Sequence, residues 1–265
     1  MSSLSVIRRS LLDGDVHVWL ARLDDDRRRT AQFFSLLDRY EASRAARFAY
    51  EKLRTHYVQS HGITRRILAE YVGVIDPADL IFTRSRHGKP SLVAPTTAAH
   101  LHFSLSHSGD RCILAVRFGQ TLGVDLQQVA DLPNALDIAR RNFTTLETQM
   151  LTRLRGGERR DCFFAMWSRK EAIVKATGAS LVKSLNRIEL QPDAMGHLQL
   201  ASVGGDQSRA RCWVVLGFDV GPGYVAALAT PHPFRASKHF IWDGVTSAET
   251  LASHRRLALD GQDLG

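Results

Sequence analysis

The chain has 265 residues, 44% of them hydrophobic, enough for one large domain or two modest ones with a proper core. Neither a membrane span of roughly 18 uninterrupted apolar residues nor a signal-peptide run within Met1 to Asp15 is present, so a cytoplasmic protein with no membrane attachment is expected. Lys and Arg outnumber Asp and Glu by 35 to 27, and the resulting +8 favours anionic partners; the absence of zinc-finger spacing, an RNA-binding aromatic signature and a helix-turn-helix argues against nucleic acid among them.

Val16 to Leu20 reads as a short first strand, followed by Asp24-Asp25-Asp26 and a helical stretch through Phe33, Leu36 and Leu37. A longer helix runs from about Glu51 to Val72, and Gly73 and Pro77 break it. Leu80-Ile81-Phe82 begins a strand that leads into the turn Arg86-His87-Gly88-Lys89-Pro90. Leu101, Phe103 and Leu105 alternate with polar residues, Ser108-Gly109 turns, and Cys112 to Val116 returns, which predicts a hairpin.

A second series of similar order begins with a strand at Gly123. Helical segments follow near Leu136 to Arg140, Leu146 to Leu154 and Cys162 to Thr177, and a hairpin from Arg211 to Leu228 turns at Gly221-Pro222-Gly223. Arg211-Cys212-Trp213-Val214 echoes Arg111-Cys112-Ile113-Leu114, which is consistent with two related α/β halves joined near Gln120. After Pro231 the chain turns polar, and Ser247 to Leu259 has the pattern of a terminal helix. Cys112, Cys162 and Cys212 are odd in number, widely spaced and set in apolar strings; we read them as buried thiols rather than a disulfide framework or zinc site.

The chemistry concentrates in two short runs. Helical spacing puts Glu171 and Lys175 on one face, and strand alternation puts Asp125 and Gln127 on one face of a sheet. If the two faces converge, two carboxylates would hold a hard cation, with ammonium groups for a polyphosphate beside it. Each run also has an ordinary reading. Asp125 could cap or salt-bridge at a strand end, and Glu171 with Lys175 could be a surface i,i+4 pair worth about 0.3 to 0.5 kcal/mol. Ser106-His107 is rejected as a nucleophile and base, because neighbours on a strand face opposite ways and no Gly-x-Ser-x-Gly elbow accompanies them; both remain phosphate donors.

Taken in order, these pieces resemble the surfactin-synthetase type of 4′-phosphopantetheinyl transferase. The basic segment Arg44 to Arg54, the turn Gly88-Lys89-Pro90, the strand Phe103-Ser104-Leu105-Ser106-His107, the run Gly123-Val124-Asp125 and the helix Trp167-Ser168-x-Lys170-Glu171-Ala172-x-x-Lys175 all match, over about Val16 to Thr230. Two positions depart from the family pattern: Ser104 stands for an Asn, and Gln127 for a second acid.

The resemblance implies an α/β (α+β) fold with a pseudo-twofold arrangement of two similar halves, each a small, mainly antiparallel sheet packed against helices, with the active site at their interface. It implies an N-terminal half at 1–120 for the coenzyme A side, a C-terminal half at 121–232 for metal and catalysis, and a tail at 233–265. The implied reaction moves the 4′-phosphopantetheine arm of coenzyme A to a serine of an acidic acyl or peptidyl carrier protein and releases adenosine 3′,5′-bisphosphate. Asp125 and Glu171 would hold Mg²⁺, with Mn²⁺ able to substitute, and Gln127 would act through a water. Glu171 is the implied base, Lys175 the stabiliser of the departing phosphate, and Lys170 a pyrophosphate holder. Arg47, Arg54, Arg84 and His107 are implied for the 3′-phosphate, Lys89 and Pro90 for the adenine side, and Ser106 as a further donor. A monomer is expected. The competing reading, raised by Gln127, is a catalytically silent module that binds coenzyme A or a carrier protein.

Overall fold

The computed structural model describes residues 11–95, 100–178 and 184–244. These fall into two compact units, 11–119 with 237–244 and 120–236. Both are mixed α/β, with sheets packed against helices.

The first unit opens with β1 (Asp15–Arg22). Helix α1 (Arg27–Phe34) is capped by the Asp26 carboxylate, which accepts from the backbone N–H groups of Arg28 and Arg29. It stops short of Leu36 and Leu37, which the apolar spacing assigns to the helix. The reason is local: Asp38 begins a capping box with Glu41 and starts α2 (Arg39–Ala45), so the two leucines lie in the connecting turn and pack on the core from there. Helix α3 (Glu51–Val72) ends where expected, at Gly73, whose φ of 75° makes a left-handed cap.

Strands β2 (Ile81–Arg84) and β3 (Pro90–Ala94) flank the Gly88-Lys89 turn, while β4 (Leu101–Ser108) and β5 (Arg111–Phe118) form the expected hairpin. The sheet order is completed from the far end of the chain. Strand β11 (Ala236–Trp242) lies beside β1, giving β11-β1-β5-β4. Part of what reads as a tail is therefore a sheet strand; the helix expected over 247–259 lies outside the described residues. The core joins Trp19, Leu114 and Val116 of the sheet to Ile67, Leu68 and Tyr71 of α3.

In the second unit, β6 (Gly123–Gln128), β9 (Trp213–Phe218) and β10 (Tyr224–Pro231) form an antiparallel sheet in the order β6-β10-β9. Helices α4 (Ala135–Asn142), α5 (Thr145–Arg153) and α6 (Gly156–Thr177) follow β6. Helix α6 starts six residues before the apolar run that signals it, because Gly156 and Glu158 extend it as a polar first turn. A further hairpin, β7 (Ile188–Pro192) with β8 (Leu198–Val203), and the single turn α7 (Gln207–Ala210) are additions that the sequence pattern does not announce.

The cysteines require a correction. Cys112 is buried, and burial pushes its thiol up to about 12, but Cys162 is only partly buried and Cys212 is exposed. The apolar string around Cys212 belongs to a half-covered edge strand rather than to a core.

Candidate active site

The catalytic candidates of the second unit meet because β6 lies directly on α6. Gly123 makes that approach achievable: a Cβ built there would sit 2.0 Å from the Ala172 carbonyl oxygen and 2.4 Å from the Ala176 nitrogen. Both obstacles are helix backbone, so only glycine lets the strand come this close. Two residues further along, Asp125 then points at the helix.

Asp125 is 1% exposed, and both of its oxygens are used. Lys175 Nζ donates to Oδ1 at 2.6 Å, and Gln127 Nε2 donates to Oδ2 at 2.8 Å. Lys175 also stands 4.0 Å from Glu171 Oε2. The strand face and the helix face thus converge on one ammonium shared by two carboxylates. Glu171 is pushed up to about 7, first because burial penalises its charge and then because the Asp125 carboxylate repels it; Lys175 and a hydrogen bond from Trp167 oppose the shift. Two neighbouring carboxylates whose repulsion helps lift one of them this far form an oxygen-donor set suited to a hard cation. Gln127 supplies a neutral amide in place of a third acid, and among the described residues no cluster of three or more His, Cys, Asp or Glu is placed to hold a metal. The residues present therefore fit a divalent cation held by two carboxylates, not three.

Lys170 belongs elsewhere, although it sits beside Glu171 in sequence. It is fully buried, pairs with the equally buried Glu147 at 2.6 Å, and donates to the carbonyls of Leu185, at 2.8 Å, and Ile188. Its three N–H groups are all engaged inside the protein, so the expectation that it holds a pyrophosphate is corrected. Glu147 also accepts from the N–H groups of Thr144 and Leu190. One buried ion pair therefore fastens α5 and β7 to α6. The sequence did carry its signal, since Thr144-x-x-Glu147 is a capping-box pattern.

The remaining candidates lie on the first unit. Arg84, at the end of β2, lays its guanidinium 4.1 Å from the centre of the Tyr40 ring, which is itself half exposed. Lys89 and Pro90 form the turn and the start of β3, and burial pulls the Lys89 ammonium down to about 8. On β4, Ser106 is buried while His107 is exposed, so the two face opposite ways. Arg47 is exposed beyond α2, and Arg54 is exposed in the first turn of α3, 3.8 Å from Glu51. The contact between Arg84 and Tyr40 has no signal in the sequence, since a lone exposed aromatic carries no pattern.

Residues 25–119 match the N-terminal region of a 4′-phosphopantetheinyl transferase family, and residues 121–229 match the 4′-phosphopantetheinyl transferase superfamily. The chain is 33% identical over 194 residues to the 4′-phosphopantetheinyl transferase HetI of Nostoc sp., covering 72% of this chain and 81% of that one. It is 27% identical over 202 residues to the 4′-phosphopantetheinyl transferase Sfp of Bacillus subtilis, covering 76% and 85%. A solved holo-(acyl-carrier-protein) synthase of Bacillus anthracis in complex with CoA (3′,5′-ADP) is similar over 42% of this chain and 94% of that one, at 21% identity and a TM-score of 0.35. The chain belongs to the 4′-phosphopantetheinyl transferase superfamily. It is an enzyme that transfers the 4′-phosphopantetheinyl group of coenzyme A to carrier proteins.

Proposed function

We propose that transfer runs through the convergence of Asp125, Glu171 and Lys175, and the observation that supports this is one buried and one partly buried carboxylate drawn onto one ammonium. Asp125 and Glu171 would hold Mg²⁺, or Mn²⁺ in its place. When bound, the cation neutralises charge on the coenzyme A pyrophosphate. Gln127 keeps the Asp125 carboxylate turned toward α6 through its amide N–H, and its own oxygen is left to orient a water.

In the transfer step, the serine oxygen of the carrier forms a bond to the β-phosphorus of coenzyme A. The bond from that phosphorus to the bridging oxygen breaks, and adenosine 3′,5′-bisphosphate leaves. Glu171 takes the serine proton, directly or through a water, because it is the less buried of the two carboxylates and its affinity for a proton is already raised. Lys175 neutralises the departing phosphate. On the first unit, Arg47, Arg54, Arg84 and His107 are assigned to the 3′-phosphate, Lys89 and Pro90 to the adenine side, and Ser106 to a further hydrogen bond. Lys170 has no part in substrate binding. The +8 chain suits an acidic carrier, and a single copy contains every residue named, so we assign a monomer.

The test is intact mass spectrometry of an apo carrier protein incubated with the enzyme, coenzyme A and Mg²⁺, with an EDTA control. The wild type adds one phosphopantetheine only with metal, whereas Asp125→Ala and Glu171→Ala add none while keeping their circular dichroism spectra. Near-normal rates in either variant would remove the site assignment.

A further inference from the structure

Lys175 occupies the position that a cation would be expected to take. Its ammonium is 2.6 Å from a carboxylate oxygen of Asp125 and 4.0 Å from one of Glu171, and the Asp125 carboxylate is almost sealed from water at 1% exposure. A buried carboxylate of this kind needs a compensating charge at all times, bound metal or not. Lys175 itself is 28% exposed and sits in the last turn of α6, two residues before the helix ends, so the outer part of its side chain has room to swing toward solvent without moving backbone.

We propose that Lys175 is a stand-in cation: in the metal-free enzyme its ammonium holds the Asp125 and Glu171 carboxylates together, and an arriving divalent ion displaces it outward, where it becomes available to the phosphate. The inference rests on the proposed metal site and adds to it a role for Lys175 before substrate is present. The exchange involves no covalent chemistry. One ammonium–carboxylate contact is replaced by metal–oxygen contacts, and the ammonium moves to water. Lys175 therefore opposes metal binding in the free enzyme, which makes the affinity weaker than that of the same two carboxylates without it. Gln127 fits the arrangement, since a third acid here would need more compensation than one ammonium provides.

The test uses Mn²⁺ alone, without coenzyme A or carrier, and reads binding rather than turnover. At pH 8, electron paramagnetic resonance titration of free Mn²⁺ gives the affinity of wild type, Lys175→Met and Lys175→Arg. Removing the competing charge in Lys175→Met is expected to tighten Mn²⁺ by about tenfold or more. Lys175→Arg keeps the charge and is expected to stay near wild type. A second measurement needs no variant: acetic anhydride labelling of the wild type, read peptide by peptide, should modify Lys175 faster once Mn²⁺ is added. If wild type binds Mn²⁺ but Lys175→Met binds it no tighter, or if Lys175 labelling slows or stays level with metal, the stand-in role is overturned while the metal site stands. If wild type binds no Mn²⁺ under any condition, the metal site itself fails and the stand-in role falls with it. Should Lys175→Met not fold, the labelling result decides.

Discussion

A hydrogen atom in place of a methyl group at position 123 determines whether Asp125 reaches α6. Gly123→Ala forces two backbone segments apart and is expected to cost about 2 to 3 kcal/mol of stability, seen as a lowered denaturant midpoint, with transferase activity lost well beyond what the unfolded fraction accounts for. The pattern Gly-Val-Asp showed that a glycine stood there, but its reason lay in the backbone of a helix some fifty residues away, which no spacing reveals. Asp125, Gln127, Glu171 and Lys175 were legible as a group because period-2 and period-3.6 arithmetic each fixes a face. Lys170 was misread for the same reason the others were found: its motif neighbours Glu171 and Lys175 face Asp125, whereas one residue's rotation on the helix sends its side chain into the interior toward Glu147. A second buried charge makes a different prediction. Burial acts to raise the Glu41 carboxyl, but hydrogen bonds and charges from His61 and Arg65 outweigh it and hold the group at about 2. A depressed carboxyl stabilises the fold above its unfolded value near 4.5, and that contribution is lost as pH falls toward 2. Guanidinium unfolding at pH 6, 4 and 2.5 should therefore show a decline on the order of 3 kcal/mol in wild type that is largely missing in Glu41→Gln.

Among the elements, β11 is the one the sequence concealed most completely. Ala236-Ser237-Lys238-His239-Phe240-Ile241-Trp242 contains three large apolar residues, and only Phe240 and Trp242 alternate onto the core side, while Ile241 remains largely exposed. Two apolar positions are too few to outweigh the polar surroundings in a pattern reading. The structure shows why they suffice. Phe240 stacks on Trp19 with ring centres 4.7 Å apart, Trp242 packs 5.9 Å from Phe33, and Lys238 reaches the buried Asp15 at 3.0 Å. Long helices such as α3 could be read from the sequence because their periodicity is internal; an edge strand depends on a partner far away in the chain. Phe240→Ala and Trp242→Ala are each expected to lower unfolding free energy by about 3 kcal/mol, checked by thermal and denaturant unfolding. An unchanged midpoint in both would mean the strand contributes nothing to its sheet.

For the whole molecule, charge rather than shape gives the prediction. An excess of eight positive charges should accelerate encounter with an acidic carrier, so kcat/KM for the carrier ought to fall by about tenfold between roughly 0.05 and 0.5 M KCl while kcat changes little. Stopped-flow rates with an acidic carrier and a charge-neutralised variant of it would separate this from a general salt effect, since only the first should show the slope. The two-unit architecture was readable from the repeated order of strand, helices and hairpin, but its connectivity was not. The first unit is made of two stretches of chain, and the whole second unit is inserted between β5 and β11. A ribosome releases β11 only after every strand of the second unit has emerged. The first-made domain therefore remains without its outer strand, with Trp19 and Asp15 uncovered, until the whole second unit has been made, and the nascent enzyme passes through a stage in which all the strands of its second-made domain are present while the first still lacks one.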